Sequence, residues 1–361
     1  MKKIAVLGSG NGGCATAFDC AAAGFETALF DFELFPAQIE AVKNAGGIHA
    51  EGDLDGFAPV AYAGHDIAQA IDRAELIYAV GPAYSTEPFA TACKEYIRPG
   101  QKVVVCPGSC GGALVFKKAL GLKPLDESVL VGETSTLPYA VRLTAPGRIR
   151  VFLRLRGGLW LSALPGRRTG DILADVRRVY DFIQPAKNVF QTMLQNANPV
   201  IHPAVTLLNA ARIEQTKGDF CFYEDGVTPA VGRVMKGVDD ERIALGRRLG
   251  IEILDDPRTG VLQGYMREPT YDKGYSEAPG FRGIKAQADL DYRYWNEDVG
   301  YGLVFLSELG RVIDVPTPTI DALIQIISVA MERDYRREGA RTPHALGLNG
   351  ADAEALLEAV E

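Results

Sequence analysis

The sequence has little of what marks several common classes of protein. Its 361 residues include six cysteines and four histidines, with no Cys-x-x-Cys pair and no Cys/His cluster, so we expect free thiols and no metal site. No apolar run reaches the roughly 18 residues that span a bilayer, and the N-terminal run breaks at Gly8, too early for a secretory signal. Basic residues are not in excess, since 38 Lys and Arg face 46 Asp and Glu for a net charge of −8. We therefore expect a cytoplasmic protein that binds neither membrane nor nucleic acid.

The remaining composition is that of a folded protein with a sizeable core. Hydrophobic residues make up 47% of the chain, and because domains of about 150 residues are common, the length favours two domains. The first half alternates short apolar runs with helical stretches, which is typical of a parallel sheet covered on both faces. The predicted strands are residues 3–7, 27–31, 76–80, 102–106 and 129–133, and the predicted helices are residues 12–23, 35–45, 66–72, 86–97 and 112–120.

The pattern changes after the fifth predicted strand. Residues 147–164 contain paired β-rich runs around Gly157 and Gly158, which predicts a hairpin that ends the sheet. Beyond residue 189 helical periodicity dominates, and residues 255–285, rich in Gly, Pro and Tyr, predict a long ordered loop. The clearest helix has apolar residues at three- and four-residue spacing: Ile320, Leu323, Ile324, Ile327 and Met331.

A glycine-rich loop directly follows the first predicted strand and opens the first predicted helix. Gly8, Gly10 and Gly13 fit Gly-x-Gly-x-x-Gly, in which the glycines permit a tight turn, close approach of a pyrophosphate, and close packing of helix on strand, respectively. The free N–H groups and the dipole of the helix N-terminus favour the same phosphates. We predict that the whole loop binds a dinucleotide, and it comprises Gly8, Ser9, Gly10, Asn11, Gly12 and Gly13.

An acidic residue supports the same prediction. Asp31 ends the second predicted strand, at the spacing of about 20 residues at which an acid accepts hydrogen bonds from the adenosine ribose. Its charge would repel the 2′-phosphate of NADP and no arginine lies beside it, so we expect NAD rather than NADP. The expected fold class is therefore α/β: a Rossmann-type doubly wound dinucleotide-binding domain over residues 1–187, followed by an all-helical C-terminal domain over residues 188–361.

Two further loops follow predicted strands and should lie at the same edge of the sheet, since ligands bind beyond the carboxyl ends of parallel strands. One contains Gly81 and Pro82, and the other contains Pro107 and Gly108. We expect their backbone to border the nicotinamide. Ser109 does not fit the nucleophile of a hydrolase, because Gly-x-Ser-x-Gly would need glycine where Pro107 stands.

A hydride-transfer enzyme usually needs a proton donor near the carbon that accepts hydride, and histidine suits this task near neutral pH. His49 and His65 fall in loop regions of the first domain, and His344 falls in the C-terminal tail. His202 begins the second domain and is followed by Pro203, which fits a helix start. His202 is the candidate proton donor, although a buried, hydrogen-bonded core histidine fits its position equally well.

Motifs along the chain carry a family resemblance. In chain order they are residues 8–13, Pro107-Gly108 with Gly111-Gly112-Ala113, Gly132-Glu133-Thr134-Ser135, Asn198 through His202-Pro203, Leu207-Leu208-Asn209-Ala210-Ala211-Arg212, Gly226-Val227-Thr228-Pro229, Glu297-Asp298-Val299, Gly302-Leu303-Val304 and Ser307-Glu308-Leu309-Gly310. Each motif alone is modest, but their order is specific. Over essentially its whole length the chain resembles the opine dehydrogenases of the octopine/nopaline and carboxyethyl-norvaline type.

The resemblance implies roles for particular residues. The family's catalytic histidine falls on His202, and its acidic partner falls on Asp298, which would orient the imidazole and stabilise its protonated form. Arg142 is a candidate for binding a substrate carboxylate, because a guanidinium binds carboxylate through two hydrogen bonds; a surface role is the alternative. Asn198, one helical turn before His202, is a further substrate-side candidate.

The resemblance also implies an activity: NADH-dependent reductive condensation of an L-amino acid with a 2-oxo acid such as pyruvate, through an imine. One alternative is a two-domain reductase of a 2-oxo acid or ketopantoate-like substrate that uses no amine. Another is a catalytically silent NAD-binding sensor. Fold alone does not separate these readings. Exposed helical faces near the C-terminus favour a homodimer.

Overall fold

The computed structural model describes residues 2–339, 341–350 and 352–361. The chain forms two compact units, Met1–Thr192 with Val360–Glu361, and Met193–Ala359. The division thus falls after Thr192, near the boundary after residue 187 that the sequence predicts. The last two residues rejoin the first unit, where the carbonyl of Val360 accepts a hydrogen bond from the Gly166 N–H at 2.8 Å.

The elements of the first unit alternate between strands and helices. The strands are β1 (Lys3–Leu7), β2 (Glu26–Phe30), β3 (Gly47–Gly52), β4 (Gly56–Pro59), β5 (Tyr62–Gly64), β6 (Leu76–Ala79), β7 (Lys102–Val105), β8 (Leu130–Thr134), β9 (Tyr139–Ala145), β10 (Arg148–Arg154), β11 (Trp160–Leu164) and β12 (Gln184–Pro185). The helices over the same stretch are α1 (Asn11–Ala22), α2 (Pro36–Ala45), α3 (Ile67–Ile71), α4 (Thr86–Cys93), α5 (Gly112–Leu120), α6 (Thr169–Val176) and α7 (Val189–Leu194).

Eight strands form one sheet in the order β12-β11-β8-β7-β6-β1-β2-β5. From β5 to β8 neighbouring strands run parallel, β11 runs antiparallel to β8, and β12 runs parallel to β11. The central strands are buried almost throughout, which is why their sequences are unbroken apolar runs. The strand order reverses at β1, so the predicted doubly wound arrangement is confirmed.

A second sheet, in the order β4-β3-β10-β9, does not follow from the sequence. Strand β4 contains glycine and proline and buries only Ala58, so no alternation of apolar and polar residues marks it. Residues 48–51 of β3 do alternate, with Ile48 and Ala50 buried, but the glycines at both ends of that strand favour a turn. Strand β3 also pairs with β10, which lies about a hundred residues further along the chain and places Arg148 opposite His49. His49 is therefore in a strand, not in a loop as predicted.

The hairpin predicted around Gly157 and Gly158 is wrong. The hairpin lies earlier, between the antiparallel strands β9 and β10, with Gly147 at a φ of 70° in its turn. Strand β11 instead pairs with β8 in the eight-stranded sheet, so Gly157 and Gly158 connect two different sheets. Strand runs are visible in the sequence, whereas the partner of each strand is chosen by packing.

The second unit is helical. Its elements are α8 (Asn198–Leu208), α9 (Ala210–Thr216), α10 (Pro229–Arg248), α11 (Asp256–Gln263), α12 (Lys273–Ser276), α13 (Arg293–Asn296), a π-helix (Asp298–Leu303), α14 (Val304–Ile313), α15 (Pro318–Ala330), α16 (Tyr335–Glu338) and α17 (Ala353–Glu358).

Two expectations for the second unit have different outcomes. The apolar face predicted on α15 is confirmed for its first four residues, which are buried, while Met331 is half-exposed. The loop predicted over residues 255–285 is wrong at its start, where Asp255 caps α11 by accepting a hydrogen bond from the Arg258 N–H at 2.8 Å. The capping signal is present in the sequence, but the glycines and prolines around it conceal the helix.

Two kinds of feature are missing from the part of the chain that the structure describes. None of its helices combines the length and apolar character needed to cross a membrane. Within the same residues, no group of three or more His, Cys, Asp or Glu side chains is arranged to hold a metal ion.

The cysteines differ in burial, which predicts their reactivity. All six are free; Cys221 is half-exposed and the others are buried. Burial, with a smaller contribution from Asp31, raises the pKa of Cys14 to about 12, and burial likewise raises the pKa of Cys93 and Cys106 to about 12. Fewer than about one in 10³ such thiols is ionised at pH 8.

We expect an aromatic disulfide reagent to modify one thiol quickly in the native protein, the half-exposed Cys221, and all six after unfolding. Several fast native thiols would contradict the burial.

Candidate active site

The glycine-rich loop after β1 has the geometry that its sequence predicts. Gly8 has a φ of 107°, and a Cβ there would lie 2.1 Å from the carbonyl oxygen of Val80. A Cβ on Gly13 would lie 1.8 Å from the Gly8 carbonyl oxygen. Both positions therefore require glycine, because any side chain would separate α1 from β1.

Gly10 differs, because it faces open space. Its φ of −71° is ordinary for any residue, and a Cβ added there meets no atom within 4 Å. Gly10 is the N-cap of α1 and no side chain caps that helix, so its first-turn N–H groups have no capping side chain as a partner. A diphosphate group needs such a space and such donors.

Asp31 lies directly after β2 and is buried, with 6% of its surface exposed. Its Oδ2 accepts hydrogen bonds from both the N–H and the Oγ of Ser9, each at 2.7 Å. Its Oδ1 accepts one from the Phe32 N–H at 2.9 Å, and its carbonyl oxygen lies 2.7 Å from Nδ1 of His65. The carboxylate thus joins the end of β2 to the glycine-rich loop and keeps acceptor capacity on Oδ1.

The other two predicted loops follow β6 and β7, the strands that lead away from β1 on one side of the sheet. Gly81 and Pro82 are half-buried, as is Pro107, whereas Gly108 is buried. Because β1, β6 and β7 are parallel neighbours, their carboxyl ends lie at one edge of the sheet. The structure therefore brings both loops to the edge that carries Gly10.

Polar side chains hold this edge in place. The fully buried Glu133 accepts a hydrogen bond through Oε2 from the Ala113 N–H, in the first turn of α5, at 2.9 Å, and another through Oε1 from the Thr192 hydroxyl at 2.7 Å. Asn11 of the glycine-rich loop accepts a hydrogen bond from the Leu143 N–H of β9 at 2.7 Å. The Asn11 amide oxygen is thus engaged inside the protein, while Gly12 packs near Leu137.

In the second unit His202 and Asp298 are paired. Nδ1 of His202 lies 2.7 Å from Oδ2 of Asp298, and both side chains are more than nine-tenths buried. His202 lies in the middle of α8, which begins four residues earlier at Asn198, so the predicted helix start at Pro203 is wrong; Pro199 occupies the first turn instead.

The pair forms because two helices pack unusually closely. Asp298 begins the π-helix, a conformation often found at functional sites. A Cβ on Gly302 of that helix would lie 2.5 Å from Cγ of Pro199. Glycine at position 302 therefore allows the π-helix to reach α8, and with it the aspartate to reach the imidazole.

Aromatic side chains enclose the imidazole. The ring of Tyr294 stacks on that of His202 with centroids 3.9 Å apart, and the Tyr223 hydroxyl lies 3.2 Å from Nε2. The Tyr223 ring stacks on Phe281 with centroids 4.2 Å apart and meets Phe222 edge-on at 5.0 Å. His202 is thus a buried histidine with both ring nitrogens hydrogen-bonded, an arrangement that fixes its orientation for proton transfer.

The two substrate-side candidates lie in different units. Arg142 is an exposed residue of β9, and its guanidinium donates to the neighbouring Val141 carbonyl. Asn198 is the first residue of α8, half-buried and one turn before His202, with its N–H bonded to Oδ1 of Asn196. The structure thus brings Asn198, His202 and Asp298 together within one unit, and it places Arg142 in the other.

Two residues that contact His202, and an arginine next to one of them in the chain, were not identified from the sequence. Tyr223 and Tyr294 contact the imidazole, and Arg293 pairs with the buried Glu297 at 3.0 Å. Burial by itself lowers the pKa of the Arg293 guanidinium. The negative charges of Glu297 and Asp298 have a larger combined effect, so the pKa of Arg293 is raised. These residues lie tens of positions from His202 along the chain. They fall in aromatic stretches that are as typical of a hydrophobic core as of a functional site.

Comparison with known proteins gives four matches of interest. Residues 185–331 match the family model described as NAD/NADP octopine/nopaline dehydrogenase, alpha-helical domain. The opine dehydrogenase of Arthrobacter sp. (strain 1C) is 38% identical over 362 residues, covering 100% of this chain and 99% of the relative. A structure of octopine dehydrogenase with NADH and L-arginine has a TM-score of 0.79 at 18% identity, covering 99% of this chain and 98% of that one. NADP⁺-bound yersinopine dehydrogenase has a TM-score of 0.72 at 18% identity over 100% and 98%.

The solved structures, at such low identity, establish the shared fold. A doubly wound nucleotide-binding unit, in one chain with a helical unit that holds a histidine–aspartate pair, defines the class as a dinucleotide-dependent oxidoreductase. The full-length identity to the Arthrobacter enzyme then shows that the chain belongs to the opine dehydrogenase family. The resemblance read from its motifs is confirmed, and the protein is an NAD(P)-dependent enzyme.

Proposed function

We propose that this enzyme condenses an L-amino acid with a 2-oxo acid, pyruvate or a close analogue, and reduces the resulting imine with NADH. The observation that carries the proposal is the buried His202–Asp298 pair at 2.7 Å, in a chain 38% identical over its full length to an opine dehydrogenase. A catalytically silent sensor would have no use for an oriented acid–base group. Reduction without an amine remains the outcome that the assay below distinguishes.

The first unit has the residues to hold the cofactor. Gly10 leaves room for the diphosphate at the N-terminus of α1, with Gly8, Ser9, Asn11, Gly12 and Gly13 forming the loop. Asp31 would accept the ribose hydroxyls through Oδ1, and its charge disfavours a 2′-phosphate, so we propose NAD over NADP. The loops at Gly81–Pro82 and Pro107–Gly108 would border the nicotinamide. When bound, NADH supplies the hydride that reduces the imine carbon.

The second unit supplies the acid–base chemistry. Asp298 accepts the Nδ1 proton of His202, so the second ring nitrogen, Nε2, gains and loses the proton used in the reaction. Condensation requires this proton, because the keto oxygen must leave as water. The negative charge of Asp298 stabilises the imidazolium and its position fixes the ring.

Arg293 is the side chain best placed to bind a substrate carboxylate. It lies five residues before Asp298, next to Tyr294, which stacks on His202, and its side chain is 46% exposed, so its guanidinium can reach a ligand. Arg142, the sequence-based candidate, lies in the other unit, and its role stays a prediction. Asn198, one turn before His202, is proposed as a further substrate contact.

The proposal is tested by following NADH oxidation with pyruvate, with and without a pool of L-amino acids, and with NADPH in parallel. We expect oxidation only when both the 2-oxo acid and an amino acid are present, and dividing the pool then identifies the amine. Oxidation with the 2-oxo acid alone would show a simple reductase. Binding of NADH without turnover in any combination would favour a sensor.

Substitution of Arg293 and of Arg142 distinguishes between the two candidates for binding the substrate carboxylate. Replacing Arg293 with lysine keeps the ion pair with Glu297 but loses the two-pronged hydrogen bond to a carboxylate. Loss of such a charged hydrogen bond costs about 1.5–3 kcal/mol, so we expect KM for the 2-oxo acid to rise roughly tenfold to 100-fold. Arg142→Lys should change KM much less. If KM rises only in the Arg142 variant, Arg142 binds the substrate carboxylate and the assignment to Arg293 is wrong.

We also propose that the enzyme is a cytoplasmic homodimer. Ile326 and Val329 of α15 are 52% and 68% exposed, and apolar side chains on one outer helix face favour association. Free thiols suit a reducing compartment. Light scattering during size exclusion should give twice the mass of one chain, and Val329→Glu should shift it toward the monomer; a monomeric native protein would contradict the dimer.

A further inference from the structure

Each ring nitrogen of His202 already has a protein partner. Nδ1 contacts Asp298 at 2.7 Å, and Nε2 contacts the Tyr223 hydroxyl at 3.2 Å. One face of the ring is covered by Tyr294, stacked with centroids 3.9 Å apart. A substrate oxygen that bonded Nε2 directly would therefore have to displace the Tyr223 hydroxyl.

Tyr223 is not placed to swing away. Its ring is buried, stacked on Phe281 within 16° of parallel and packed edge-on against Phe222. Phe281 is in turn stacked on Tyr265 with centroids 4.8 Å apart and lies parallel to Tyr275. Moving the Tyr223 ring would disrupt a contiguous aromatic stack, in which each such pair contributes about 0.5–1.5 kcal/mol beyond area burial.

We propose that Tyr223 is a catalytic residue that carries the proton between His202 and the keto oxygen of the substrate. This inference rests on the proposed condensation. A tyrosine hydroxyl suits the position because it is both donor and acceptor: it donates to Nε2 of neutral His202 and accepts from Nε2–H of the imidazolium. The Tyr223 hydroxyl lies against Nε2, so the hydroxyl is the route by which that nitrogen reaches the substrate.

The protons balance along this route. As the amine nitrogen bonds to the keto carbon, the carbon–oxygen double bond becomes single and its oxygen takes the Tyr223 proton. The Tyr223 oxygen takes the Nε2 proton of the imidazolium, so Tyr223 ends as it began. The new ammonium nitrogen returns one proton to His202, and a second transfer along the same route releases the hydroxyl as water and leaves the iminium.

The test compares Tyr223→Phe with the wild-type holoenzyme, using pyruvate and the amino acid found active. We expect kcat to fall by about 10²-fold or more, with NADH affinity and melting temperature unchanged because the ring and its stack remain. The matched control is Tyr275→Phe, whose hydroxyl is buried and has no hydrogen-bond partner among the described residues. Removing an unsatisfied hydroxyl is near neutral, so this variant should retain wild-type turnover.

A second comparison separates proton transfer from orientation of the imidazole. A fluorinated tyrosine at position 223 keeps the shape of the side chain but loses its proton at lower pH. If Tyr223 carries the proton, the alkaline decline of kcat moves to lower pH in that protein; if it only orients His202, the profile does not move.

The results distinguish failure of the Tyr223 proposal from failure of the proposed function. Full turnover by Tyr223→Phe in the presence of both substrates, or an unmoved pH profile, overturns the proton-carrying role and leaves the proposed function intact. Turnover of wild type with the 2-oxo acid alone contradicts the condensation but still tests Tyr223, because the keto oxygen gains a proton in that reaction too. A wild-type enzyme with no turnover overturns both.

Discussion

Replacing His202 with alanine should lower kcat by about 10²–10⁴-fold, the usual contribution of a positioned acid–base group, while NADH binding is retained. The reason is local: the imidazole, held by Asp298 at 2.7 Å, provides the proton that the keto oxygen needs, and the glycine-rich loop belongs to the other unit. Turnover is measured by NADH oxidation with both substrates, and cofactor binding is measured by NADH fluorescence titration.

Two further variants make this result interpretable. His202→Ala leaves the buried Asp298 carboxylate without its partner, which is destabilising in general, so His202→Asn, with an amide donor, is tested beside it for melting temperature and kcat. His344 is exposed in the C-terminal region, and His344→Ala should behave as wild type. If His202→Asn is folded, binds NADH and turns over at a near-normal rate, His202 is a structural histidine and the proposed mechanism is wrong.

The second large effect is expected from alanine substitutions at two glycines of one loop: Gly10→Ala should weaken NADH binding alone, whereas Gly13→Ala should also lower stability. In Gly10→Ala the added Cβ meets nothing within 4 Å, so we expect normal stability but weaker NADH binding, because the methyl group occupies the space of the diphosphate. Loss of one charged hydrogen bond costs about 1.5–3 kcal/mol, which raises Kd roughly tenfold to 100-fold. In Gly13→Ala the Cβ would lie 1.8 Å from the Gly8 carbonyl oxygen, so stability should fall as well, by about 1–3 kcal/mol.

The measurements are thermal unfolding without cofactor and NADH titration of each variant. Wild-type NADH affinity in Gly10→Ala would mean that the diphosphate does not approach this backbone. An unchanged melting temperature in Gly13→Ala would mean that α1 and β1 separate easily, contrary to their packing. Gly24→Ala is not a suitable control, because Gly24 has a φ of 86°; Gly170→Ala is better, since its Cβ also meets nothing within 4 Å and it lies in α6.

The parts of this protein that could be predicted from the sequence are those in which local pattern and tertiary role coincide. Buried parallel strands have apolar side chains on both faces, so β1, β2, β6, β7 and β8 were visible as runs. The glycine-rich loop was visible because backbone contacts forbid side chains at Gly8 and Gly13. The helix at residues 318–330 was visible because one of its faces is buried.

Where interacting segments are far apart in the sequence, local sequence patterns did not predict that they would meet. The second sheet joins β3 to β10 across about a hundred residues, and the predicted hairpin was misplaced because β11 pairs with β8. Asp298 was identified through family resemblance alone. Tyr223 and Arg293 were missed, since a turn and a four-residue helix are too short to carry a periodic signal.

The sequence by itself thus determined the fold class, the nucleotide-binding loop and the family, because each depends on residue types at short, fixed spacings. Only the tertiary structure decided which side chains meet His202. Its three partners come from two distant segments, Tyr223 from one and Tyr294 with Asp298 from the other, and Gly302 against Pro199 permits the approach of Asp298. The physical reason is that an acid–base site needs atoms within about 3 Å of each other, and packing between helices sets such distances, whereas local sequence does not.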